Sequence, residues 1–482
     1  MTDIVETVLG HEGGGRSAIV SPTETTSYDE LAHLTRRLAA GLRCSPALGP
    51  GTCLVVSHPG LKESLALTFA GWSIGARVAI LPPYLTDHEL DIVLENCKPV
   101  VRVSDQTPDS PSSLEFRALV GFRAEPLYSE AGEAWLQTFT SGTTGVPKCV
   151  DRKVSRLGHD VEQLASVARF SAEDRVTAMT TALSTTSVLP ALFAGSTLVL
   201  IELRSARQFW ADIGEAAITV VSGTPYAYEL AARRAPARTA GARVRVALST
   251  SARLRPSTAA KFMDYTGIPV RSIMCSSESG HITYNDAEDR ELLAWSVGRV
   301  LPHVEVEIRG ENGAVLRDGE QGRICVRSPF TASRYRNDPK GTAAVFQDGW
   351  VVSSDVGFRD ACGFLHLTGR NDHKIHFGAA KIDPQELEDV LLRHPQVGDA
   401  IVVGENHDRL GQVPVARVVS TGTTTSEELL AHCRSLLSAM KVPQRIEFVT
   451  EVPRDFKGQP IRPSYVRFGT EAATKSSRRD DA

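Results

Sequence analysis

Short apolar strands alternate with helical segments from the start of the chain to about residue 300 of 482, and this alternation restricts the fold more than any other feature. The segments TCLVVSH and RVAIL are typical of buried strands. The segment from Ser27 to Leu42 is typical of an amphipathic helix, because leucines recur in it at spacings of three and four residues. The alternation predicts parallel α/β layers.

The pattern changes twice in the last third of the chain. From Val304 onward, VEVEIRG, GRICVRS, GWVVSSDVGF and GFLHLTGR predict short strands in an antiparallel or barrel-like part. After Arg370, a helix beginning at Pro384, the strands DAIVVG and VPVARVVS, and a helix with Ser426 as its N-cap predict an α+β domain.

We therefore predict the α/β fold class, with two domains and a tail. A large N-terminal domain at 1–371 combines layered α/β subdomains with the barrel-like β part, and a small mobile α+β domain follows at 372–468. The charged tail at 469–482 is typical of a disordered segment.

Composition excludes several functional classes. The net charge of −4 provides no attraction to nucleic acid or to an anionic membrane. The apolar region from Ser64 is interrupted by Gly71, Gly75 and Arg77, which predicts a buried helix followed by a strand rather than a membrane span. MTDIVETVLG lacks the basic region of a signal peptide, and the eight cysteines form no CxxC pair. These features predict a cytoplasmic protein without a zinc site, a disulfide framework, or nucleic-acid or membrane partners.

The stretch TFTSGTTGVPK combines hydroxyl residues, glycines and one lysine, Lys148. SGTTG alone is compatible with an ordinary surface turn. The full stretch favours a phosphate cradle, because glycines free backbone N–H groups, hydroxyls donate hydrogen bonds and the lysine supplies a charge. The GxxxxGK[ST] pattern of a Walker loop is absent from the sequence.

The string TSGTTGVPK resembles the phosphate loop of the adenylate-forming superfamily, which includes acyl-CoA synthetases, nonribosomal peptide adenylation domains and beetle luciferases. MCSSESG, SSDVG and GRNDHKI resemble later motifs of the same superfamily, in the same order. The resemblance implies an AMP-forming ligase that uses ATP and Mg²⁺ to activate an acid as its AMP ester and releases pyrophosphate. It implies that Lys148 is catalytic and that the loop residues bind ATP: Thr140, Ser141, Gly142, Thr143, Thr144, Gly145 and Lys148.

The later motifs imply further roles by the same resemblance. Ser277 matches an ATP-binding threonine, and Glu278 matches the catalytic, magnesium-binding glutamate. Asp355 would hold the ribose hydroxyls, and a carboxylate suits a vicinal diol as a hydrogen-bond acceptor. Arg370 would be a second ribose or phosphate contact, and Asp372 the hinge of the small domain.

The sequence departs from the superfamily near its C-terminus. In VPRDFKGQPIR, Gln459 occupies the position of the catalytic lysine. Either Gln459 acts alone, or Lys457 replaces the lysine from two residues earlier, because side chains two apart in an extended segment share a face. In FGAAKI, Ala379 stands where the superfamily has the glycine that lets pantetheine pass, unless Gly378 substitutes for it, and Ala380 stands at the following aromatic position.

The candidate substrate pocket is also unusual. Met274 stands at the position of the adenine-stacking tyrosine, and small hydroxyl residues replace bulky groups before a Leu-Pro pair. The candidate pocket residues are Ser184, Thr185, Thr186, Ser187, Thr250, Ser251 and Met274. The hydroxyls either satisfy buried backbone or line a pocket for a small or strongly polar substrate. Both interpretations disfavour a tunnel for a long acyl chain.

Three functions remain open. The first is activation of a small acid and its transfer to CoA or an amine, and Ala379 and Gln459 favour the amine. The second is an ATP-dependent diazotase that adenylates nitrite and diazotises an aryl amine. The third is a catalytically degenerate nucleotide-binding protein, which Gln459 and Met274 favour but the retained Lys148 and Glu278 oppose.

Overall fold

The computed structural model describes most of the chain. The described residues are 3–46, 48, 51–57, 60–81, 94–95, 97, 100–104, 113–125, 127, 132–140, 148–179, 183–236, 243–370, 373–377, 380–407, 411–454 and 460. The chain forms two compact units, residues 1–367 and 368–482. The predicted boundary at 371/372 lies outside the described residues and stays a prediction.

The elements are numbered in chain order. The strands are β1 Ser17–Val20, β2 Thr25–Ser27, β3 Cys53–Val56, β4 Arg77–Ile80, β5 Val100–Ser104, β6 Ser113–Glu115, β7 Trp135–Thr140, β8 Lys148–Lys153, β9 Arg175–Ala178, β10 Thr197–Leu200, β11 Val220–Gly223, β12 Val246–Ser249, β13 Val270–Ser276, β14 Gly280–Tyr284, β15 Gly298–Val300, β16 Glu305–Arg309, β17 Gly322–Arg327, β18 Tyr335–Arg336, β19 Phe346–Gln347, β20 Trp350–Arg359, β21 Phe364–Arg370, β22 Ile375–Phe377, β23 Ala380–Ile382, β24 Val397–His407, β25 Gly411–Ser420 and β26 Arg445–Phe448.

The helices are α1 Ile4–Leu9, α2 Tyr28–Arg43, α3 Leu61–Ser73, α4 Phe116–Val120, α5 Val154–Val167, α6 Val188–Phe193, α7 Ala206–Glu215, α8 Pro225–Ala232, α9 Pro256–Thr266, α10 Arg290–Trp295, α11 Pro339–Val345, α12 Pro384–Leu392 and α13 Ser426–Leu436, followed by a 3₁₀ helix at Ala439–Lys441.

Within the described residues, the first unit contains two sheets. The seven-stranded sheet has the order β18-β8-β7-β4-β3-β5-β6. Its strands β7, β4, β3, β5 and β6 are parallel, and every residue of β3 is buried, as expected of a strand covered on both faces. β7 and β8 form an antiparallel hairpin in which Thr140 lies opposite Lys148.

The second sheet of the first unit has fourteen strands among the described residues, in the order β16-β17-β20-β21-β15-β14-β13-β12-β11-β9-β10-β1-β2, with β19 on β20. The run from β13 to β1 is parallel, so the carboxyl ends of these strands lie at one edge. The strands after 304 join the other end of the sheet with antiparallel pairing. The predicted fold class, with parallel layers followed by an antiparallel part, is confirmed.

Local sequence signals explain individual elements. The helix predicted at 27–42 is α2, which begins at Tyr28 because Ser27 and Glu30 form a capping box. The apolar region from Ser64 is α3 followed by β4, as predicted. A side chain at Gly71 would come within 2.8 Å of Leu54, so only glycine allows α3 to lie this close to the sheet. None of the described helices has the length and hydropathy to cross a membrane.

The second unit is α+β, as predicted. Its sheet has the order β23-β22-β25-β24, with β26 on β25. Pro384 is the first residue of α12, as predicted. The predicted N-cap of α13 is wrong by one residue, because Ser426 is the first helical residue and Thr425 is the cap. The Thr425 amide donates to Glu428 Oε2 at 2.9 Å, so the position of the glutamate selects Thr425.

Candidate functional site

The β7–β8 hairpin places the candidate phosphate loop at the end of a parallel strand. The loop residues Ser141, Gly142, Thr143, Thr144 and Gly145 lie outside the described residues. The backbone at both of its ends is described, and Thr140 and Lys148 are directly paired. Lys148 is half-buried at the first position of β8. The hairpin therefore fixes Lys148, the one lysine of TFTSGTTGVPK, where the loop ends and β8 begins.

Tyr335 connects Lys148 to Glu278. Because β18 pairs with β8, Tyr335 lies opposite Val150, two residues beyond Lys148. The Lys148 Nζ atom lies over the Tyr335 ring, 4.8 Å from its centroid. The Tyr335 hydroxyl donates a hydrogen bond of 2.7 Å to Glu278 Oε1. The structure thus brings together two residues that the sequence assigned separately, through a third that it did not assign.

Glu278 lies in the turn between β13 and β14, at the carboxyl edge of the parallel part of the larger sheet. Its carbonyl oxygen accepts a hydrogen bond of 2.7 Å from the Ala332 amide. Ser277 is half-buried in the same turn, and Ser276 Oγ accepts from the Ser279 amide at 2.9 Å. The Glu278 turn of the larger sheet therefore contacts Tyr335 of β18, which pairs with β8 in the smaller sheet.

A buried ionic cluster anchors the Glu278 turn from behind. Asp160 of α5 is fully buried and pairs with Arg152 of β8 at 2.7 Å. The His281 amide donates to Asp160 Oδ1 at 3.1 Å, and His281 Nδ1 lies 3.1 Å from the same oxygen. Burial raises the pKa of the Asp160 carboxyl, but His281 and Arg152 outweigh burial and lower that pKa to about 2. The carboxylate is therefore ionised at neutral pH.

A second polar network lies inside the hairpin. Gln137 of β7 donates to Asp151 Oδ1 at 2.6 Å, and Arg336 of β18 lies 3.4 Å from Asp151 Oδ2. The Cys53 thiol donates to Gln137 Oε1 at 2.7 Å. Burial, followed by the nearby Asp151 charge, raises the pKa of the Cys149 thiol. This network joins β3, β7, β8 and β18 and leaves Cys149 as a protonated, unreactive thiol.

Ser184, Thr185, Thr186 and Ser187 lie between β9 and α6, beside the carboxyl edge of the parallel strands. Ser184 Oγ accepts from the amides of Thr186 and Ser187 at 3.3 and 3.2 Å, and it lies 3.2 Å from Thr186 Oγ1. Ser184 therefore fits the interpretation in which the hydroxyls satisfy backbone. Thr186 is buried, and the other three residues are half-buried.

Thr250 and Ser251 follow β12 at the same edge. Thr250 Oγ1 lies 3.4 Å from Cys275 Sγ, next to Met274 of β13. Ser251 is exposed and has a positive φ of 77°, which is uncommon for a residue with a side chain. Met274 is buried opposite Thr283. Thr250 therefore follows β12 and Met274 lies in the adjacent strand β13, and ligand sites of open α/β sheets lie at this edge.

The remaining candidates belong to later segments of the chain. Asp355 is half-buried in β20, four strands from β13 in the sheet order, and its amide donates to Ser353 Oγ at 3.0 Å. Arg370 is exposed at the end of β21. Asp372, Lys457 and Gln459 lie outside the described residues. Their roles stay predictions.

The side chains around Glu278 suit magnesium. Within the described part of the chain, no group of three or more His, Cys, Asp and Glu side chains could hold a metal ion alone. Mg²⁺ commonly takes one or two carboxylates and completes its shell with substrate phosphates and water. Glu278 with the Ser277 hydroxyl fits that pattern and does not fit a metal that needs an all-protein site.

The fold and these motifs define a known class. The chain belongs to the AMP-binding enzyme family, whose model matches residues 7–336, and the model of the AMP-binding enzyme C-terminal domain matches residues 386–458. It is an AMP-forming enzyme of the acyl/aryl-CoA ligase type. The resemblance to the adenylate-forming superfamily is thereby confirmed.

Individual relatives differ in their acceptors. The chain is 29% identical to indoleacetate–CoA ligase of Aromatoleum aromaticum over 94% of this chain and 95% of that one. It is 25% identical to oxalate–CoA ligase of Arabidopsis thaliana over 95% and 96% of the two chains. The amide bond synthetase McbA from Marinactinospora thermotolerans has a similar structure, with a TM-score of 0.81 and 27% identity over 95% of this chain and 97% of that one.

Proposed function

We propose that this enzyme activates a small or polar acid with ATP, releases pyrophosphate, and transfers the acyl group from the AMP ester to an amine. The observation that carries the adenylation step is the convergence of Lys148 and Glu278 on Tyr335 beside the glycine-hydroxyl loop. In this arrangement the Lys148 ammonium would contact the phosphates, and Glu278 with Ser277 would hold Mg²⁺. Bound there, the metal would neutralise charge on the phosphates. Such charge stabilisation commonly supplies much of the catalysis in group transfer.

The proposed substrate class follows from the carboxyl edge of the larger sheet. Thr186 and Thr250 are buried hydroxyl residues there, and Ser184 is held in a local turn. A short polar wall of this kind favours a small acid over a long acyl chain. The relative that acts on oxalate supports a small acid, and the relative that acts on indoleacetate supports an aromatic one.

The proposed acceptor follows from two sequence departures. By the resemblance, Ala379 would add a methyl group at the pantetheine glycine unless Gly378 substitutes for it, and Gln459 would remove a charge from the adenylation site unless Lys457 replaces it. The similarity to an amide bond synthetase supports an amine acceptor, while the two CoA ligase relatives support CoA. We therefore rank the amine above CoA.

A pyrophosphate-release assay tests the proposal. The protein is incubated with ATP, Mg²⁺ and one acid from a panel that contains oxalate, indoleacetate, other small aryl acids and nitrite. Each reaction is run alone, with CoA, and with an aryl or alkyl amine, and products are identified by mass spectrometry. We expect acid-dependent pyrophosphate release and an amide product.

Three other outcomes would change the assignment. A thioester in place of the amide would move the acceptor to CoA. Release with nitrite and formation of a diazonium product from an aryl amine would identify a diazotase. Nucleotide binding without pyrophosphate release for any acid would support the degenerate protein and refute the proposed ligase.

A further inference from the structure

Lys148 and Glu278 carry opposite charges, and both contact the Tyr335 side chain. A direct ion pair between them would neutralise both charges and leave neither available to bind the nucleotide or its metal. Tyr335 lies between them. Its ring face receives the ammonium at 4.8 Å, and its hydroxyl donates to Glu278 Oε1 at 2.7 Å. A cation is attracted to the ring face, and a carboxylate accepts from the phenol, so one side chain contacts both charges without neutralising either.

Tyr335 is itself held on several sides. It is 5% exposed and pairs with Val150 in the seven-stranded sheet. Its amide donates to Thr342 Oγ1 at 3.0 Å, and its ring packs edge-on against Phe346 with centroids 5.3 Å apart. The ring therefore has a fixed orientation, and both charged side chains are positioned relative to it.

We propose that Tyr335 is a positioning residue that orients Glu278 for its metal and keeps the Lys148 ammonium apart from that carboxylate. The inference rests on the proposed adenylation function and adds a residue to it. The hydroxyl donates to one carboxylate oxygen, Oε1, and thereby restricts the rotation of the carboxylate group. Partners that orient a metal ligand typically change metal affinity by about 10–100-fold when they are removed.

Two variants separate the hydroxyl from the ring. Tyr335→Phe keeps the ring, its Lys148 contact and its packing on Phe346, but removes the hydrogen bond to Glu278. Tyr335→Leu removes the ring as well. The matched control is Tyr28→Phe, because the Tyr28 hydroxyl donates to the backbone oxygen of Ser196 at 2.6 Å in the core, away from the site.

The primary readout is binding of Mn²⁺, used in place of Mg²⁺, to the complex with α,β-methylene-ATP, followed by electron paramagnetic resonance. In Tyr335→Phe we expect the Mn²⁺ Kd to rise about 10–100-fold. In Tyr28→Phe it should stay within about twofold of wild type, even if the melting temperature falls. In the adenylation assay, Tyr335→Phe should show a raised KM for Mg²⁺ and a kcat that recovers at saturating Mg²⁺.

The ring has a separate readout, the affinity for α,β-methylene-ATP without metal. Tyr335→Phe should bind it as wild type does, whereas Tyr335→Leu should bind it more weakly, because Lys148 can then turn to Glu278. Equal nucleotide affinity in both variants would refute the separating role.

An unchanged Mn²⁺ Kd in folded Tyr335→Phe would refute the orienting role while leaving the proposed function standing. Wild-type protein that binds no nucleotide would refute the proposed function itself.

Discussion

Asp160→Asn is the sharpest test of how the site is held. Asp160 is 0% exposed, and its partners Arg152 and His281 are 4% and 1% exposed. The substitution keeps the shape of the side chain and removes its charge. It removes the Asp160 counterion from the buried Arg152 guanidinium, and it weakens the hydrogen bond that the His281 amide makes behind the Glu278 turn.

The magnitude follows from the burial of the cluster. Removing one partner of a buried ion pair costs about 3–5 kcal/mol of unfolding free energy, and an asparagine that keeps one acceptor oxygen belongs at about 3 kcal/mol. The unit that contains Asp160 has 367 residues. A unit of that size has an unfolding entropy of about 0.8 kcal/mol per K. The melting temperature should therefore fall by about 4 °C.

The pH dependence separates charge from shape. The folded-state pKa of Asp160 is about 2, below the ordinary value of 3.8, so its charge stabilises the fold above the ordinary value and less as the pH falls toward 2. By pH 3 about 1 kcal/mol of that contribution should be lost in wild type and none in Asp160→Asn. The difference in unfolding free energy between the two proteins should shrink from about 3 to about 2 kcal/mol between pH 5 and pH 3.

Differential scanning calorimetry and denaturant titration at both pH values measure these quantities. The control is Asp264→Asn, because Asp264 pairs with Arg290 on the surface, where the two side chains are 57% and 67% exposed. Such a pair contributes little, so the control should melt within about 1 °C of wild type. An Asp160→Asn protein that matches this control, or a difference that does not change with pH, would refute the electrostatic account of the anchor.

Three further predictions concern catalysis. Lys148→Ala should slow AMP formation about 10²–10³-fold. A thermal melt should change little, because Lys148 is half-buried and its side-chain contact within the described residues, with the Tyr335 ring, is worth about 0.5–1 kcal/mol. Normal turnover would remove Lys148 from the mechanism. Asp372→Pro, which restricts φ at the predicted hinge, should slow one half-reaction and spare the other in single-turnover experiments, and equal slowing would contradict an alternating hinge. Lys457→Ala should slow adenylate formation about 100-fold if Lys457 replaces the missing lysine, with Gln459→Lys adding little; if Gln459 acts alone, Lys457→Ala should be silent and Gln459→Lys should accelerate carboxylate activation.

Local sequence patterns predict most of the helices and strands discussed above. The strand–helix alternation, the apolar helix before β4, and the proline at the start of α12 are short-range signals, and the structure follows them. The N-cap of α13 was missed because TTTSEEL contains several hydroxyls in a row, and only the spacing to Glu428 selects Thr425. The helix boundary depends on which hydroxyl residue makes the capping hydrogen bonds. The residue types alone do not specify this.

The contacts of Tyr335 with Lys148 and Glu278 could not be predicted from this sequence alone. Glu278 and Lys148 each lie in a short motif, so the resemblance to the superfamily assigns both from the sequence. Tyr335 contacts both, yet it is 57 residues from Glu278 in sequence and lies in the other sheet. Asp160 and His281 are 121 residues apart. YRNDP and the buried acid of α5 are visible in the sequence, but only the packing of the two sheets shows what they contact.

The late position of β18 in the chain has a consequence for folding. Its residue Arg336 pairs with Asp151, 185 residues earlier, and β18 forms the outer strand beside β8. During synthesis the edge of β8 has no neighbour until about 335 residues have been made, and contacts of such long range form slowly. Over that interval β8 presents open backbone groups to other chains. We expect fragments that end before Tyr335 to aggregate more than the full chain does, as measured by light scattering.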